Sequence, residues 1–202
     1  GTSSGARSLV FKAANLSTSQ LSYLRIEDAA EAIRIGQESE HQQGDKNSGT
    51  LTASYITIQA AKVVTNGVGT QAKLVLSNAT ISSTTIVGMY PSSEPIEIID
   101  STITNTSIRS DSYNKGITIR GSTLTDSPLY IGCCGANISL DSSTLINSPI
   151  QEGGGSPVTG PLAVGKSRLI NSPIDLPSAQ VNITDSTVSF SGQRAIKLGN
   201  GQ

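Results

Sequence analysis

Residues 145–150 read LINSPI, and residues 169–174 read LINSPI again. Near-copies stand at 124–129 (LTDSPL) and 103–108 (ITNTSI), each with an aliphatic first and last and Asn or Asp third. Extending the hexapeptide upstream gives a longer unit: two aliphatics spaced by one residue, a short polar link such as DST or GST, then the hexapeptide. Six segments fit, at 74–86, 96–108, 117–129, 138–150, 162–174 and from 181. Their central aliphatics are Ile81, Ile103, Leu124, Leu145, Leu169 and Val188, separated by 22, 21, 21, 24 and 19 residues. Two weaker units, centred on Leu24 and Ile56, precede them and bring the expected total to about eight.

Each unit holds three short alternating pieces, and alternation means strands with one buried face. The pieces are too short for hairpin sandwiches, and Asn-Gly or Asp-Gly between alternating runs is nearly missing. Three strands in about 21 residues make one coil of a parallel β-helix, which buries its apolar face only by stacking on its neighbours. Leucine-rich repeats have a similar period but place Asn three residues after a Leu-x-Leu strand. Left-handed hexapeptide helices need a strict 18-residue coil, which the spacings violate. The third hexapeptide position recurs as Asn105, Asp126, Asn147 and Asn171, with Ser83 as a variant. Asn and Asp tolerate left-handed backbone angles. They are therefore expected to turn a corner in every coil and to stack as a side-chain ladder. The fold expectation is an all-β parallel β-helix of about eight coils of ~21 residues with an Asn/Asp corner ladder. Residues 1–202 are read as one domain, with 1–20 as an N-terminal cap and 36–50 as an inserted loop. Residues 27–40 (EDAAEAIRIGQESE) also fit a short helix by propensity.

The repeat resembles the right-handed parallel β-helix of the pectin-lyase-like superfamily over roughly residues 8–200. The resemblance rests on the coil length, the Asn corner and the opening LSYLRIEDAAEAIRI, which is similar to first coils of bacterial surface or phage tailspike-type domains. Polygalacturonase-like members carry Asn-Thr-Asp, Asp-Asp, Gly-His-Gly and Arg-x-Lys motifs. Here there is no Asp-Asp pair, the sole histidine, His41, lies in a Gln-rich stretch, and RAIK at 194–197 fits only the last motif. Pectate-lyase-like members cluster acids for calcium beside an Arg base, and no dense acid cluster is written here. No catalytic residue is assigned, although one acid from each of two coils, such as Glu94 with Asp111, would suffice for a hydrolase.

Composition narrows the partners. The net charge of −1 gives no basis for nucleic-acid or anionic-membrane binding. No apolar run approaches the length of a transmembrane helix. Ser and Thr number 51, which suits many short strands with small polar side chains facing water. The chain opens GTSSGARS without Met, so it is expected to begin after processing or to be an excised domain, attached to a larger chain or self-associating. Cys133 and Cys134 are adjacent and lack metal-site spacing. DKNSG at 45–49 is a partial calcium loop without the bidentate Glu, so no cofactor or metal is expected. Five Asn-x-Ser/Thr sequons, at Asn15, Asn78, Asn105, Asn137 and Asn182, are explained by the Ser/Thr content.

Variable segments follow the last strand of each coil and should emerge along one edge, where binding residues concentrate. Tyr90, Glu94, Arg109, Asp111, Tyr113 and Tyr130 lie in them, and tyrosine faces beside carboxylates suit sugar rings. The functional expectation is an extracellular or cell-surface, non-catalytic domain recognising a polysaccharide or cell-surface glycan. A polysaccharide lyase or hydrolase is the alternative. A third reading comes from outward pairs such as Thr102/Thr104 and Thr123/Thr125: a flat Thr-x-Thr array of the kind that β-helical antifreeze proteins turn to ice.

Overall fold

The structure is a computed structural model, and it describes residues 9–11, 16–35, 48–60, 62–65, 71–88, 95–110, 116–132, 135–153, 157–192 and 194–197. These residues form an all-β parallel solenoid, about six turns of about 22 residues, with no helix among them. The strands fall into three sheets of nine, eight and eight, and each strand pairs with its equivalents in the turns before and after. Sheet A, the nine-stranded one, runs from Leu9–Phe11 to Ile196–Lys197 and leads into the variable segments; sheet B runs from Leu16–Ser22 to Val181–Thr184 and carries the longest strands; sheet C runs from Arg25–Glu27 to Thr187–Ser189 in eight strands of three residues. Residues 27–40 hold no described helix: Arg25–Glu27 and Ile33–Ile35 are strands, and the intervening Ala29 and Ala32 are buried. Tertiary stacking outweighs the modest helix propensity there.

The core is built from columns of aliphatics, one from each turn. In sheet C the column runs Ile26, Ile58, Ile81, Ile103, Leu124, Leu145, Leu169 and Val188, in unbroken register. Ile58 through Leu169 are fully buried, whereas Ile26 and Val188, each with a partner on one side only, are half-buried. This corrects the sequence reading of the first two units. Their centres are Ile26 and Ile58, two residues beyond Leu24 and Ile56. In those turns both inward positions are aliphatic, so period two alone cannot choose between them.

Each sheet C strand follows a left-handed corner, and all but the last, Thr187–Ser189, are followed by a second one. One corner is the expected one: Asp28, Ala60, Ser83, Asn105, Asp126, Asn147 and Asn171, all with φ near +50°. The other comprises Tyr23, Tyr55, Asn78, Asp100, Gly121, Ser142, Lys166 and Asp185, again all at positive φ. The Asn/Asp row turns the chain, but it is exposed and forms no continuous side-chain ladder. Asn147 Nδ2 donates to Asp126 Oδ1 at 3.1 Å, and Asn171 Oδ1 accepts from Ser191. The expected ladder exists one residue later, and it is built of hydroxyls. After these corners the backbone N–H is buried and directed at the next turn, where an unpaired donor would be costly. The N–H of Thr106 donates to Ser127 Oγ, that of Ser127 to Ser148 Oγ and that of Ser148 to Ser172 Oγ, at 3.1, 3.0 and 2.9 Å. A second ladder follows the other corner through Ser101, Ser122, Ser143, Ser167 and Ser186. Each of these hydroxyls also donates to a carbonyl two residues back, so Ser101, Ser122, Ser143 and Ser167 are buried with both functions used, and Ser186, at the end of the row, is half-buried.

Candidate functional site

Four of the residues expected at the binding edge, Tyr90, Glu94, Asp111 and Tyr113, lie outside the described residues, as do Cys133, Cys134, His41 and Asp45. The other two fall together. Arg109 and Tyr130 are cross-strand partners on the outer face of sheet A, Arg109 exposed and Tyr130 half-buried, with Gln151 next in the row. Among the described residues no group of three or more His, Cys, Asp or Glu side chains is disposed to hold a metal ion.

The structure opens a groove elsewhere, on the outer face of sheet B. Alternation sets this face: Ile117 and Ile119 point inward, so Thr118 and Arg120 point outward. The next turns place Ser139 and Asp141, then Ala163 and Gly165, then Asn182 and Thr184 in the same two rows. Ala163 and Gly165 are short beside their neighbours, and they form the floor of a groove of ≈ 380 Å³. Arg120, Ser139, Asp141, Asn182 and Thr184 line it. A β-carbon built on Gly165 would meet Asp141 Oδ1 at 3.5 Å and Thr184 Oγ1 at 3.8 Å, so a carboxylate and a hydroxyl converge over the floor. Arg120 and Asp141 are direct cross-strand partners, yet they are not among the ion pairs of the described residues. The groove thus offers guanidinium, amide and hydroxyl donors beside carboxylate acceptors, over an apolar floor.

Beside the groove runs the left-handed corner of Tyr23, Tyr55, Gly121, Ser142, Lys166 and Asp185, one residue after the Arg120–Asp141–Gly165–Thr184 row. At its N-terminal end Tyr23 and Tyr55 stack, with ring centroids 5.3 Å apart and planes within 6°. Both rings are exposed, Tyr23 at 82 % and Tyr55 at 55 %. Arg25, two residues on from Tyr23, forms an ion pair with Glu27. The hydrogen bond from Arg25 holds the Glu27 carboxyl below its ordinary value.

A third surface is the outer face of sheet C. Thr57, Thr80, Thr102, Thr123 and Thr144 occupy one row in consecutive turns, bounded by Arg25 and Arg168. The parallel row reads Gln59, Ser82, Thr104, Thr125, Ile146. Tyr55, two residues before Thr57, belongs to neither row and sits on the corner.

The sheet B groove was missed because its residues lie partly in the polar link, taken as connection only. The signal was present in the parity of ITIR, ISLD and LAVG: the fourth residue of each faces outward beside the second. Comparison of the chain with protein-family models, with characterised proteins and with solved structures found no match.

Proposed function

We propose that this chain is an extracellular, non-catalytic surface domain that recognises a polysaccharide or cell-surface glycan through the sheet B groove. The observation that carries the reading is the convergence of Arg120, Asp141, Ser139, Asn182 and Thr184 over the short floor of Ala163 and Gly165. Sugars need donors and acceptors together beside apolar surface for their C–H faces, and the groove supplies all three. The scaffold we propose is a right-handed β-helix of about eight coils, of the pectin-lyase-like kind. Two sheets of eight strands support the count, and the strong preference for right-handed crossovers between parallel strands supports the hand. A place outside the cell follows from the ligand class.

The test is binding to an array of acidic and neutral glycans by the parent and by Ala163→Tyr. Ala163 is exposed, and Tyr is a good strand residue, so the variant keeps its fold while filling the groove. Affinity should fall at least about tenfold, equivalent to about 1.4 kcal/mol. Undiminished binding by the folded variant would remove the groove as the site. Turnover of any polymer by the parent would establish the lyase or hydrolase alternative.

One observation favours a second reading, ice binding by sheet C: the unbroken row of five threonines is longer than the sequence pairs suggested. Thermal hysteresis by the parent, abolished by Thr102→Tyr with Thr123→Tyr and untouched by Ala163→Tyr, would establish it. Absence of hysteresis in the parent would dismiss it.

A further inference from the structure

The stacked tyrosines pose a question that the fold does not answer. A left-handed backbone disfavours a bulky L-residue by roughly 1–2 kcal/mol, and the later turns fill this corner with residues such as Asn78, Asp100 and Gly121. Only the first two use tyrosine, and both rings face solvent. Neither core packing nor turn chemistry calls for tyrosine here. The centroid separation of 5.3 Å between near-parallel planes is that of offset rings. Such a staircase leaves part of each face uncovered, consistent with the exposure of both.

The position of the pair is informative. Tyr55, Asn78, Asp100, Gly121 and Ser142 occupy the same corner in five consecutive turns. Ser142 directly follows Asp141 of the groove, and Gly121 directly follows Arg120. From Tyr55 to Ser142 is four steps of about 4.8 Å, or about 19 Å. At the corner itself the positions between are polar or small. Asn78 carries an exposed amide, and the Asp100 carboxylate lies over Gly121, where a β-carbon would come within 2.2 Å of Asp100 Oδ1. Donors and acceptors therefore continue from the groove to the aromatic pair, where Arg25 and Glu27 add a charged fringe.

We infer that the groove and the tyrosine pair are two ends of one track, along which a linear polysaccharide lies parallel to the solenoid axis. The inference rests on the glycan reading of the groove. It adds the ligand's form: an extended chain of pyranose units longer than about four residues, since each unit advances by about one turn of the solenoid. The groove holds one end by hydrogen bonds, Asn78 and Asp100 bond hydroxyls along the way, and Tyr55 and Tyr23 stack on sugar faces at the other end.

The test is calorimetric titration of the parent with two series of linear oligosaccharides, dimer to octamer: neutral cello-oligosaccharides and acidic oligoalginates. The parent should bind the octamer of at least one series about tenfold more tightly than the trimer. Tyr23→Asn with Tyr55→Asn should abolish that gain and leave trimer affinity unchanged. Asn suits the left-handed corner, so the melting temperature should hold or rise. A folded double variant that keeps the octamer gain overturns the track and leaves the groove standing. A parent with no length dependence overturns it equally. A parent that binds neither series overturns the track for these glycans, and the wider array decides separately whether the groove reading falls too.

Discussion

Leu145→Ala is expected to cost about 2–5 kcal/mol, the range for emptying a buried leucine site. Leu145 is fully buried in the sheet C column between Leu124 and Leu169, which are fully buried in turn. Parallel strands hold the turns at fixed spacing through their backbone hydrogen bonds, so the neighbours cannot close on the vacated space. The loss should sit at the high end of the range for that reason. Urea titration followed by circular dichroism reads it as a lower midpoint at unchanged slope. A variant that unfolds with the parent would place Leu145 outside the core and discard the register on which the fold rests.

Gly116→Ala should be as damaging or more so, at about 4 kcal/mol or above, or should prevent folding. Gly116 has φ +112°, and a β-carbon there would lie 1.7 Å from the carbonyl oxygen of Asn137 in the next turn. That atom belongs to a paired strand, Asn137–Asp141, and cannot move without breaking the ladder to Gly116–Arg120. Gly135→Ala is the control. Gly135 also has a positive φ, +85°, but no atom lies within 4 Å of its would-be β-carbon, so only the backbone strain of about 1–3 kcal/mol applies. If the two variants melt alike, the close approach of successive turns at Gly116 is not real.

How much of this was legible in the sequence differs from one column to the next. The Ile103, Leu124, Leu145 and Leu169 column was readable because its flanking Asn or Asp marks the corner, while Thr neighbours of the first three mark the outward face and the repeated LINSPI places the fourth. In the first two turns those marks fail. Tyr23 and Tyr55 stand where Asn78 and Asp100 would announce a left-handed residue, and Leu24 and Ile56 fill positions held by serine from Ser101 onward. The register therefore read two residues early. The hydroxyl ladder escaped for the opposite reason. Serine in a DST or GST link has the composition of an exposed turn, and nothing local tells that its own N–H and hydroxyl are buried between turns. Its recurrence at one offset, Ser101, Ser122, Ser143, Ser167 and Ser186, was the available sign.

The candidate site was legible in its chemistry more than in its place. The expectation of tyrosines beside charged groups named Tyr90, Glu94, Arg109, Asp111, Tyr113 and Tyr130, of which Arg109 and Tyr130 are among the described residues and are cross-strand neighbours on sheet A. The groove depends instead on what is small. Ala163 and Gly165 look unremarkable in a strand, and they become a floor only when Ser139, Asp141, Asn182 and Thr184 are aligned around them. Concavity on a flat sheet is a property of neighbouring turns, so no single segment encodes it.

The most direct measurement of the central claim is amide chemical-shift mapping of the isotopically labelled domain during titration with whichever array glycan binds best. The account predicts that shifts concentrate at Arg120, Ser139, Asp141, Ala163, Gly165 and Asn182, with Asn78 and Tyr55 joining for longer chains. Shifts confined to the Thr57–Thr144 row of sheet C, or to Arg109 and Tyr130 on sheet A, would contradict it.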